Sequence, residues 1–116
     1  MATACLFIGF NRPITGRESE AWATLQGDGI GQVESFKKEG WFESFDIIGL
    51  TPHGGTMNCF LLLEGERAKL DELRRTDAFE RFSMRLSRLF DGYAVVPGLT
   101  FEGLRKVQER NPDLFR

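Results

Sequence analysis

The chain has 116 residues, 41% of them hydrophobic and 28% charged, with a formal net charge of −2. One domain of that size buries a core without staples, and its charge balance offers no field to attract nucleic acid. No apolar run approaches the ~20 residues needed to cross a bilayer, and the opening segment lacks a signal peptide's basic stretch and cleavage site; a cytoplasmic protein with no membrane partner is expected.

Residues 5–10, Cys-Leu-Phe-Ile-Gly-Phe, form an unbroken apolar run. Such a run predicts a strand covered on both faces and therefore central in its sheet. Pro13 stops it. Thr15-Gly-Arg-Glu18 has the spacing of a capping box and predicts a helix from about Arg17 to Glu39. Its apolar positions are Ala21, Trp22, Leu25, Ile30, Val33 and Phe36. Gly27, Gly29 and Gly31 each cost about 1 kcal/mol relative to alanine inside a helix, which predicts a kink or break near residues 26–31. Lys37, Lys38 and Gly40 suit its C-terminal end.

Residues 41–50 read as a second strand. Its Glu43, Ser44 and Asp46 mark an edge, where charge discourages unwanted pairing. Thr51-Pro-His-Gly-Gly55 reads as a tight turn, since proline presets φ and glycine accepts a positive one. Residues 57–63 form a third strand, again apolar on both faces and so central. A second helical region falls into two pieces. Residues 66–75 bring Leu70 and Leu73 together; Asp77 caps the next piece, which carries Phe79, Phe82, Leu86 and Leu89 as one stripe. Asp91-Gly92 ends it. Residues 93–96 form a fourth strand, closed by Pro97-Gly98. Thr100 caps a last helix over about 100–111, with Phe101, Leu104 and Val107 on one side.

The order β-α-β-β-α-β is the split βαβ, or ferredoxin-like, arrangement of α+β proteins. Right-handed crossovers place both helical regions on one face of a four-stranded antiparallel sheet. The chain then forms a single domain, 1–116, with strands one and three in the middle. The other sheet face carries Phe, Leu and Val, a patch larger than monomers tolerate. The expected remedy is a homodimer, sheet facing sheet. The eleven phenylalanines, against one tyrosine and two tryptophans, fit that demand for burial. Cys5 and Cys59 lie in apolar strands and read as reduced, buried thiols.

The element order, the aromatic-rich strands and the segment Leu-Arg-Arg-Thr-Asp-Ala-Phe-Glu-Arg-Phe (73–82) together resemble the dimeric α/β-barrel superfamily. In that group a leucine, a basic residue, then Ser or Asp and a phenylalanine commonly open the second part of helix two. The resemblance spans about residues 5–96. The superfamily includes antibiotic-biosynthesis monooxygenases, muconolactone isomerases, EthD-like proteins, haem-degrading enzymes and chlorite dismutases. The Pro52-His-Gly-Gly55 hairpin is most similar to its uncharacterised small bacterial members. Fold does not decide function here.

His53, the only histidine, is either a general base or simply the polar residue of a hairpin turn. Asn11 and Arg12 end strand one where Asn58 begins strand three, so topology brings them towards the hairpin. There an amide, a guanidinium and an imidazole could hold a carbonyl or carboxylate; otherwise they are solvated strand ends. Tyr93 could serve a ligand at the cleft between sheet and helices, or its ring fills core. One histidine and two separated cysteines make no zinc site, and neither metal nor cofactor is expected. The resulting functional expectation is a small homodimer with a binding or accessory role. The alternative is a cofactor-independent isomerase or monooxygenase acting on a small hydrophobic or aromatic molecule.

Overall fold

A computed structural model describes residues 2–114. Strand β1 (Ala4–Phe10) is followed by helix α1 (Glu18–Thr24), a π-helical turn (Leu25–Gly29) and helix α2 (Ile30–Lys38). Strands β2 (Ser44–Gly49) and β3 (Cys59–Gly65) come next, then helices α3 (Arg67–Arg74) and α4 (Asp77–Ser87). Strand β4 (Ala94–Leu99), helix α5 (Phe101–Arg110) and a 3₁₀ turn (Pro112–Leu114) complete the chain. The sheet order is β2-β3-β1-β4, with every neighbouring pair antiparallel. The two strands that are apolar on both faces are the central ones, and the helices pack on one side: a ferredoxin-like sheet.

The register sorts the side chains. Ala4, Leu6, Ile8 and Phe10 of β1 face the helices with Leu61 and Leu63 of β3, all buried. Phe79, Phe82, Leu86 and Leu89 meet them as the buried stripe of α4 and the turn after it, joined by Phe36, Leu70 and Leu73. The other sheet face carries Cys5, Phe7 and Gly9 of β1 opposite Glu64, Leu62 and Phe60 of β3, flanked by Ile48 and Val96. Phe7 and Phe60 stack with ring centroids 5.1 Å apart. Cys5 and Cys59 lie on opposite faces and near opposite ends of the ladder, so no bridge between them is possible.

The long first helix does not break. Ile30 N–H donates to the Leu25 carbonyl five residues back, the bond that defines a π turn. The buried positions explain it: Ala21, Leu25, Gly29 and Val33 recur every fourth residue. In a regular α-helix each such step drifts about 40° around the axis. Slackening one turn restores the row to the core. Gly29, not Ile30, supplies the buried third member.

Several local expectations are corrected. Thr15 and Glu18 do not form a reciprocal cap: Arg17 is the N-cap, and Glu18 reaches back to the Gly16 N–H at 2.9 Å. Thr76, rather than Asp77, caps α4, its hydroxyl accepting from the Phe79 N–H at 3.2 Å. Asp77 is already helical, where its charge favours the positive helix start. Strand β2 is shorter than residues 41–50, because Phe42 turns into the core before pairing begins. Strand β4 passes through Pro97-Gly98 instead of stopping there, with Pro97 paired opposite Leu6. An edge strand permits this, since the missing N–H can face outward. Thr100 caps α5 as expected, accepting from the Gly103 N–H at 3.1 Å.

Candidate functional site

The loop between β2 and β3 runs from Leu50 to Asn58, and its ends are closed by the Leu50 N–H donating to the Asn58 carbonyl at 2.8 Å. His53 organises its interior. The Gly55 N–H donates to Nδ1 at 3.1 Å, and Nε2 lies 2.8 Å from the Met57 carbonyl. With Nδ1 accepting, the ring proton sits on Nε2 and donates to Met57, which assigns one neutral tautomer. A Cβ on Gly55 would lie 2.6 Å from the imidazole Cε1, so glycine makes room for the ring. The imidazole is exposed, yet both nitrogens serve their own loop.

Asn11 and Asn58 flank the last β1–β3 pair, Phe10 with Cys59. The Asn58 N–H donates to the Phe10 carbonyl at 2.9 Å. The Asn11 N–H donates to the Asp91 carbonyl at 2.7 Å, and Asp91 returns the bond to the Arg12 carbonyl at 3.0 Å. The backbone therefore brings β1, the hairpin and the approach to β4 to one end of the sheet. Among the described residues no side-chain hydrogen bond or ion pair joins His53, Asn11, Arg12 and Asn58. The Arg12 side chain is exposed. The Asn11 Oδ1 is buried without a hydrogen-bond partner, an acceptor of a kind that folded proteins normally satisfy.

Tyr93 lies on the opposite side of the sheet from the Phe7–Phe60 face. Its hydroxyl donates to Ser83 Oγ on α4 at 2.9 Å. Burial pushes the phenol pKa up to about 12, with the Ser83 bond opposing that rise. Tyr93 is therefore a proton-bearing donor at neutral pH and a poor base. Around it the space between sheet and helices is filled: Leu6, Ile8, Leu61 and Leu63 are completely buried. Cys5, on the open face, has its thiol pKa raised by burial and secondarily by the Glu64 charge, while burial raises that of Cys59. Neither cysteine is set up as a nucleophile.

Sequence reasoning found the apolar patch of the open face but not its polar flank. Phe7, Phe60, Leu62, Ile48 and Val96 make an apolar centre, while Ser44, Asp46 and Glu64 line one flank. Phe7 lies over Gly9, where a Cβ would meet its ring at 2.5 Å. The alternation of β2 held the signal for that flank, because Ser44, Asp46 and Ile48 share one face.

No family model matches the sequence, and no curated protein matches it. Solved structures do match in fold. A dimeric protein of unknown function from Bacteroides fragilis aligns with a TM-score of 0.64 at 11% identity, covering 86% of this chain and 98% of that one. An EthD family protein from Bacillus halodurans gives 0.63 at 11% identity, covering 83% and 96%. HapK from Hahella chejuensis gives 0.60 at 14% identity, covering 84% and 92%. The chain thus has the ferredoxin-like fold of a group whose solved members include a dimeric protein of unknown function and an EthD family protein.

Proposed function

We propose that the chain is a homodimer closed sheet face on sheet face, as in a dimeric α/β barrel, with a binding or accessory role. The observation that carries this is the apolar centre of the open face, Phe7, Phe60, Leu62, Ile48 and Val96, flanked by Ser44, Asp46 and Glu64. An apolar core with a polar rim is the anatomy of a protein interface. Burying one phenylalanine or leucine stabilises by about 1.5–3 kcal/mol, so leaving the cluster in water would forfeit several times that. The dimeric neighbour supports the reading through fold alone.

Recognition of a small hydrophobic molecule is placed at the hairpin end of that interface. Asn11, Arg12 and Asn58 supply polar contacts there, and the unpartnered Asn11 Oδ1 supports the choice. His53 acts as the clasp that shapes the loop. The alternative enzyme would need a polar pocket between sheet and helices, and that space is occupied by close-packed Leu, Ile and Phe.

Sedimentation velocity tests the assembly. The wild type is expected to run as a dimer at micromolar concentration, and Phe60→Asp as a folded monomer by circular dichroism. A monomeric wild type at 50 µM overturns the proposal. Thermal-shift screening with the wild type and Asn11→Ala tests the ligand end. A hit whose stabilisation is unchanged by the substitution moves the site elsewhere.

A further inference from the structure

Helix α5 docks across the end of the sheet by one contact that only glycine allows. A Cβ on Gly103 would collide with the Thr3 carbonyl oxygen. The Thr100 N–H donates to that same carbonyl at 3.2 Å, and the Thr100 hydroxyl to the Ala2 carbonyl at 2.9 Å. Held there, α5 faces the start of α3 across a groove. Two adjoining cavities, of about 230 and 160 Å³, occupy it and share Ala4, Arg67 and Leu99.

The groove has two chemistries. Its apolar surface is given by the exposed Leu99 and the half-buried Val107, above the fully buried Leu6 and Leu70. Leu99 is 40% exposed, although it is an aliphatic side chain at a strand end. Its α5 side carries Lys106 and Arg110 and its α3 side Arg67, with Asp71, also on α3, the one acid. Among the described residues none of these three cations has a carboxylate within 4.0 Å, whereas Arg17, Arg85 and Arg105 all do. In a chain of net charge −2, three unneutralised cations around one apolar trough are a local reversal of sign.

We infer that this groove binds an alkyl carboxylate, with the chain along Leu99 and Val107 and the carboxylate between Arg67 and Lys106 or Arg110. An apolar slot with few convergent polar groups is the usual composition of a small-molecule site. Cations left unpaired beside it select an anionic head, because charge-assisted hydrogen bonds are the stronger kind. The site lies at the β4 end of the sheet, and its lining reaches the face assigned to the dimer only at Cys5 and Gly98.

Titration with sodium octanoate, followed by amide NMR and calorimetry, tests it. Octanoate is expected to shift the resonances of Ala4, Arg67, Leu70, Leu99 and Lys106. Octanol and acetate should each bind more weakly by about tenfold, as should octanoate to the Arg67→Gln/Lys106→Gln variant. Both substitutions are on the surface, and Arg81→Gln, on α4, should leave binding unchanged. The inference is overturned if octanoate does not bind or if its shifts map to Phe7 and Phe60. It is equally overturned if octanol binds as tightly, or if the double variant binds within twofold of the wild type.

Discussion

Tyr93 shows how one residue can be visible in a sequence while its work is not. A tyrosine beginning an edge strand reads equally as a ligand contact or as core. The structure turns it towards α4 and gives its hydroxyl to Ser83, ten residues earlier. Nothing in the spacing names that partner, because it depends on how α4 lies over the sheet. The same holds for His53, whose place in a hairpin was legible from Pro52 and the two glycines, but whose bonds to Gly55 and Met57 depend on the loop's path. Tyr93 is the chain's only tyrosine, so its titration is directly readable. Tyrosinate absorbance near 295 nm should rise with a midpoint near 12 in the folded protein, against about 10 unfolded. The native state holds this proton more tightly than the unfolded chain. Its contribution is therefore complete below pH 10 and is lost as pH rises towards 12, by roughly 2–3 kcal/mol. Tyr93→Phe should flatten that alkaline fall. A midpoint near 10 in the native protein would place the hydroxyl in water.

At the scale of elements, the strands and their order were legible because two-sided apolarity distinguishes a central strand from an edge. Boundaries were less so. Pro97 is a stop signal by its chemistry, and only its place on an edge lets β4 continue past it. The α4 stripe was readable from spacing alone. Phe82, 5% exposed and against Phe36 and Phe79, should cost about 3–5 kcal/mol when cut to alanine; chemical denaturation showing less than about 1 kcal/mol would put another face inward. The π turn was foreshadowed only as trouble among three glycines. It works as one residue more than a regular helix needs between Ala21 and Val33. Deleting Gly27, which is exposed with nothing near its Cβ position, should convert it to α-helix and keep the flanking rows in phase. The variant should melt no lower than the wild type, since a glycine costing about 1 kcal/mol leaves the helix interior. A drop of more than 10 °C would mean that the slack itself is needed.

For the molecule as a whole, the Cα trace measures 52 × 35 × 19 Å. The thin dimension fits one sheet with one layer of helices. That geometry leaves the second sheet face without a layer of this chain upon it, and it also leaves two strands with open edges. The β2 edge carries Ser44 and Asp46, and the β4 edge carries Pro97. A face can be covered once, but an edge that accepts a strand presents a new edge and can propagate without limit. Proline breaks that chain reaction at β4 because it offers no donor for the next strand. Pro97→Val would therefore be quiet in a melting curve and loud in a solubility assay. Light scattering at 37 °C should grow in the variant while the wild type stays clear, so a residue that the ladder within the molecule passes without a break is the one that keeps the molecules from joining into a fibre.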